Sequence, residues 1–95
     1  MFVVLVRYQV PLARIDELLA AHRAFLDRLY AEGAIVASGP QVPRAGGVIL
    51  ARGSDEATVR ATFAQDPFAR EGAATYEFVQ FDPTRTAPGL EALRG

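Results

Sequence analysis

The chain has no cysteine, no lysine and only one histidine. Without cysteine there are no disulfides, thiolate nucleophiles, iron–sulfur ligands or cysteine zinc sites. Without lysine no side-chain Schiff base can form. One histidine does not make a multi-histidine metal centre within one chain, so neither a metal nor a cofactor is expected. Blocks of like charge are also missing. The formal net charge is −1, which offers no electrostatic footprint for nucleic acid or an anionic membrane. The opening MFVVLVRYQV is too short to span a bilayer and lacks the basic start of a signal peptide. It reads as the first strand of a cytoplasmic protein.

What is present suits one small α+β domain. Ninety-five residues make one domain, and 51% of them are apolar. That is more than a small monomer needs to fill its core, so association is expected.

Residues 2–10 are β-rich and apolar on both alternating faces until Arg7 and Gln9, and Pro11 interrupts them. Such a strand needs cover on both sides. Over residues 14–32, Ile15, Leu18, Leu19, Phe25, Leu26 and Leu29 recur at helical spacing, and Gly33 suits a left-handed cap. Ala34–Ser38 is a short strand closed by Gly39-Pro40, QVPRAGG is a loop, and Val48–Ala51 is a third strand. Ser54 is the expected N-cap of a second helix reaching about Gln65, with Asp55 and Glu56 in its first turn. Thr75–Phe81 is the last strand. The domain is expected over residues 1–82, with residues 83–95 as a C-terminal tail.

The order β-α-β-β-α-β is the ferredoxin-like arrangement: a four-stranded antiparallel sheet with two helices on one face. The other face stays open, and a homodimer formed through it is the simplest cover.

His22 falls on the apolar stripe, three residues after Leu19 and seven after Ile15. A half-buried imidazole needs a polar partner. Asp66 lies three residues after Phe63 and seven after Val59, on the inward face of the second helix. A carboxylate that accepts one ring N–H fixes the tautomer and frees the other nitrogen as base or acid. Taken alone, His22 fits a hydrogen-bonded core histidine as well as a catalytic one. Asp66-Pro67 taken alone fits a helix N-cap followed by proline better than a site carboxylate. Ser38 could turn its hydroxyl into a cleft, although a strand-end turn residue is the simpler reading. Arg7 and Gln9 could line a pocket rim or an interface, and Arg7 could pair with a substrate carboxylate or phenolate, although a structural salt bridge explains Arg7 at least as well. Tyr8, Tyr76 and Phe68 read most simply as core or interface aromatics, and Phe68, beside Asp66, is also a candidate wall for a substrate. No G-x-S-x-G elbow, phosphate-binding loop or RNA-stacking strand is present.

The runs HRAFLDRL at 22–29, GAIVASGP at 33–40 and DPFAREG at 66–72, in this order and spacing, resemble the YCII-related (YciI-like) family from the first strand to Phe81. The resemblance implies a dimeric α+β barrel and an active-site His–Asp pair, here His22 and Asp66, with Ser38, Gly39 and Pro40 nearby. It also implies kinship with dehydrochlorinases of hydroxylated chloroaromatics and, through the fold, with muconolactone isomerases. A cofactor-free lyase or isomerase acting on a small oxygenated ring is therefore expected. The alternatives are a small-ligand-binding or regulatory module without catalysis, a haem protein with His22 as axial ligand, and a dimer with no pocket at all.

Overall fold

Alternation along Phe2–Tyr8 (β1) builds the centre of the fold. Phe2, Val4 and Val6 are almost fully buried, while Val3 and Leu5 keep partial exposure on the opposite face. In the computed structural model, which describes residues 1–94, β1 is followed by α1 (Leu12–Ala31), β2 (Ile35–Pro40), β3 (Gly46–Ala51), α2 (Glu56–Phe63), α3 (Pro67–Arg70), β4 (Ala74–Gln80) and a 3₁₀ turn at Glu91–Arg94. The sheet order is β2-β3-β1-β4, antiparallel throughout. This is the ferredoxin-like α+β fold.

Local chemistry explains the element ends. Helix α1 starts at Leu12, two residues before the periodicity suggests. Pro11 occupies its N-cap with no side-chain cap, and the Pro11 carbonyl accepts from the backbone N–H of Arg14 and Ile15. At the other end Gly33 takes φ 73°. Its N–H donates to the Tyr30 carbonyl and the Ala34 N–H reaches back to that of Leu29, the paired cap bonds that a left-handed glycine permits. The N-cap of α2 is Asp55 rather than Ser54: its carboxylate accepts from the Thr58 N–H at 3.1 Å and the Thr58 hydroxyl at 2.6 Å. With Glu56 as the first helical residue, Thr58 is the third, which is where a cap oxygen reaches. The second helix also ends at Phe63, short of Gln65, and the chain re-enters a helical turn as α3.

The core lies between sheet and helices. Phe2, Val4, Val6, Ile49 and Ala51 from the sheet meet Ile15, Phe25, Leu26, Leu29, Val59, Phe63 and Phe68 from the helices. The other sheet face carries Val3, Leu5, Val48, Leu50 and Val79, as the strand registers require. Past β4 the Phe81 N–H donates to the Met1 carbonyl, and Arg52 Nη1 donates to the Ala92 carbonyl at 3.3 Å, which ties the final turn to the end of β3. Among the described residues no helix is long and apolar enough to cross a membrane.

Gly46 opens β3, where the sequence suggests only a hairpin loop, and it is buried against β1. A Cβ there would lie 1.8 Å from the Val6 carbonyl oxygen, and a backbone atom in a central strand cannot step aside. Gly46→Ala is therefore expected to cost about 1–3 kcal/mol, read as a lowered urea midpoint with an unchanged m-value.

Candidate active site

The site begins with a carboxylate that water does not reach. Among the described residues Asp66 is the one buried charged side chain, 0% exposed. Burial of a carboxylate is tolerated only when its oxygens are satisfied. Three donors from three elements do this. His22 Nδ1 of α1 lies 2.9 Å from both carboxylate oxygens. The Tyr76 hydroxyl of β4 donates to Oδ2 at 2.7 Å. The backbone N–H of Phe68 in α3 donates to Oδ1 at 3.0 Å. Asp66 is thus both the N-cap of α3 and the partner of His22. Pro67 at the first helical position adds no N–H that would need a partner.

Because a carboxylate only accepts, the Nδ1 atom of His22 carries the proton, and the neutral ring keeps its lone pair on Nε2. The ring is 12% exposed. It stacks on Phe68 with centroids 4.0 Å apart and planes 9° from parallel. Phe68 and Tyr8 pack in turn as a T-shaped pair with centroids 5.9 Å apart. A hydrogen bond on one side and an aromatic face on the other leave the imidazole one orientation.

Beside the ring is a cavity of about 400 Å³. Its floor is the sheet (Val6, Ile49, Gly47), and one wall is the α1 stripe Leu19, His22, Arg23 and Leu26. Ser38, Gly39 and Pro40 close the far side, with Tyr8, Arg44 and Phe68 completing the lining. Strand β2 runs through Pro40 instead of stopping at Ser38; as an edge strand it tolerates a residue without an N–H. The Ser38 hydroxyl is engaged with the Tyr30 hydroxyl at 2.6 Å.

Of the residues singled out from the sequence, His22, Ser38, Gly39, Pro40 and Phe68 share this lining, and Asp66 stands behind His22. Arg7 does not join them, which corrects the expectation of a pocket-rim role. It follows Val6 on β1, so it points to the open sheet face, where it pairs with Glu77 at 3.2 Å. Two guanidiniums do line the cavity: Arg23 of α1 and, from the β2–β3 loop, Arg44. Arg44 reaches Asp16 Oδ1 at 2.7 Å and sits 5.9 Å above the Tyr8 ring. Its donation to Asp16, then the nearby Tyr8 hydroxyl, raises its pKa above the ordinary arginine value. Nothing local marks a lone arginine in a loop as a wall of a cavity. Alternation in TYEFVQF sets Tyr76 and Phe78 on one face, and the register opposite Val6 makes that the helix-covered face.

Fold and site together define a small ferredoxin-like domain with a His–carboxylate dyad opening on a small-molecule cavity. The YCII-related domain model matches residues 1–82, and the chain belongs to the YCII-related family. No curated protein matches the chain. Among solved structures, it resembles the 5-chloro-2-hydroxyhydroquinone dehydrochlorinase TftG of Burkholderia phenoliruptrix AC1100 in complex with 2,5-dihydroxybenzoquinone. The TM-score is 0.67 and the identity 23%, over 85% of this chain and 93% of that one. At this identity the likeness concerns the fold.

Burial first, then the charge and hydrogen bond of Asp66, push the Tyr76 phenol well above its usual pKa. Tyr76 therefore remains a donor wherever the protein is folded. Tyr76→Phe is expected to cost about 1.5–3 kcal/mol near neutral pH, because a bond to a charged acceptor is lost. The sign follows from linkage. The unfolded chain releases the phenolic proton first, near pH 10, so the stabilisation is complete below that pH and is lost as pH rises further. Denaturant titrations of both proteins from pH 7 upward should show the gap between them closing only above about pH 10.

Proposed function

We propose that this protein is a small acid–base enzyme, a lyase or isomerase acting on a compact oxygenated ring. The observation that carries this reading is the buried Asp66 holding His22 Nδ1 at 2.9 Å while the same ring lines a cavity of about 400 Å³. A cavity of that size suits a single-ring metabolite. Its apolar walls strengthen any charge interaction inside.

In this mechanism Nε2 of His22 removes a proton from a hydroxyl or ring carbon of the substrate. The released electron pair moves through the ring and collects the proton at a ring carbon, which completes an isomerisation; where that now tetrahedral carbon bears chlorine, loss of a second hydroxyl proton to His22 drives out chloride with its bonding pair. The imidazolium formed is stabilised by Asp66, which keeps its two other donors throughout. Asp66 and Tyr76 act through His22 and are positioning residues. Phe68 and the Ser38–Pro40 segment bound the space in which the substrate turns. The likeness of fold to a single quinone-bound dehydrochlorinase supports small oxygenated rings as the first substrates to try.

The reading includes a homodimer. Val3, Leu5, Val48, Leu50 and Val79 form an apolar surface on the open face of the sheet, with Val79 44% exposed. A second copy packed there on a two-fold axis would cover it. Sedimentation should give a dimer for the natural chain and a monomer with native circular dichroism for Val3→Arg. A monomeric natural chain rejects this part.

The catalytic part is tested with 5-chloro-2-hydroxyhydroquinone, following chloride release, and with a muconolactone, following isomerisation. The natural chain is expected to turn over one of them. His22→Gln and Asp66→Asn should each lower kcat by roughly 10²–10⁴-fold. Equal rates for His22→Gln and the natural chain would end the dyad mechanism. Saturable binding of these rings without turnover would assign the cavity to a ligand-binding module instead.

A further inference from the structure

The charges on the cavity wall all have one sign. Of its lining residues, Arg23 and Arg44 carry positive charge, His22 can acquire it, and none is acidic. This contrasts with the whole chain, whose net charge is −1. Two carboxylates bond to lining side chains without lining the cavity themselves: Asp66 is fully enclosed behind the His22 ring and spends its oxygens on three donors, and Asp16 holds Arg44 at 2.7 Å. The charged groups lining the cavity are therefore guanidinium and imidazole, with no carboxylate among them.

Arg44 is also built into the wall. The loop that carries it is pinned at both ends: the Gln41 N–H donates to the Gly46 carbonyl, and the Tyr8 N–H donates to that of Ala45. The Gln41 amide reaches the carbonyls of Val6 and Gly47 at 3.4 and 3.3 Å. The Arg44 guanidinium then lies over Tyr8, Tyr8 meets Phe68 in a T-shaped pair, and Phe68 stacks on His22. This run of rings places Arg44 and His22 along one apolar wall. The bond of Arg44 to Asp16 uses one Nη nitrogen of a group with five N–H donors. With Asp16 more than half exposed, the pair is of the weak surface kind that yields readily to another acceptor.

We propose that Arg44 is the anion-binding residue of this site, and that the site selects planar single-ring ligands carrying an anionic oxygen conjugated to the ring, such as a phenolate or a hydroxyquinone enolate. The proposal rests on the cavity being the functional site and specifies which substrates it accepts. Arg44 grips the anionic oxygen, the ring lies on the apolar floor, and His22 Nε2 is left to work elsewhere on the same ring. A guanidinium suits this role because its charge is permanent and its donors lie in one plane with the ring substituent.

The test uses two quinones as probes in calorimetric titrations of the full chain at neutral pH. One is 2,5-dihydroxybenzoquinone, an acidic vinylogous carboxylic acid that is anionic there. The other is its uncharged dimethyl ether. Arg44→Gln should weaken binding of the anionic quinone by about 10–100-fold, the cost of a lost charge-assisted hydrogen bond, and leave the ether within about twofold. Arg44→Lys should restore the anion only in part. Arg60→Gln, which removes an equal charge on α2 outside the cavity, should change neither. Since the readout is the change in the ratio between the two quinones, the extra bulk of the ether cancels. An anion-to-ether ratio unmoved in Arg44→Gln overturns the assignment of Arg44. His22→Gln should lower kcat by roughly 10²–10⁴-fold, and in that background Arg44→Gln should still shift the ratio, so loss of the catalytic reading alone is seen as persisting Arg44-dependent selectivity without chemistry. Failure of both quinones to bind the natural chain removes the cavity as the functional site and this proposal with it.

Discussion

The buried carboxylate of Asp66 is the constraint on which the rest of the site depends. A charge with no exposed surface must be bonded on nearly every lone pair, and each donor here comes from a different element: His22 from α1, the Phe68 N–H from α3 and Tyr76 from β4. Moving any of these elements would leave the charge unsatisfied at a cost of several kcal/mol. The network therefore locks the end of the helical layer onto the edge strand of the sheet. It also fixes a tautomer and a ring plane at His22. Stability and reactivity share one set of bonds.

The surrounding packing makes that arrangement rigid. Phe68 is buried because α3 is a single turn capped by Asp66 at its start and by Gly72, at φ 66°, at its end. The same short turn delivers the backbone N–H that the carboxylate needs and the ring that the imidazole stacks on. Tyr8 and Phe63 continue the aromatic cluster in two directions. An imidazole so bounded loses little further freedom when a ligand arrives, and this preorganisation is what makes a proton-transfer group effective.

Charge is divided between the two faces of the sheet. Arg7 and Glu77 face the open side as an exposed pair, whereas Arg44 comes over the top of β1 from the β2–β3 loop and serves the covered side. One arginine step along a strand changes the face completely, because side chains alternate. A loop arginine is under no such rule and goes where its backbone bonds send it.

Much of the fold and half of the site could be read from residues in order. Alternation in FVVLVRY, the leucine spacing of α1, the glycine after it and the DPF turn each declare a local geometry, and local geometry depends only on near neighbours in the chain. The same spacing put His22 on the covered face, and the family resemblance singled out Asp66 beside it. Other features needed tertiary structure. That Asp66 caps a helix and holds His22 at once depends on α3 docking against α1, a contact between residues 44 positions apart. That Tyr76 completes the carboxylate depends on the register of β4 with β1. That Arg44, not Arg7, lines the cavity depends on the path of a loop tied to two strands. These are non-local facts: chain order states which face a side chain takes on its own element, and only the packing of elements decides what it meets there.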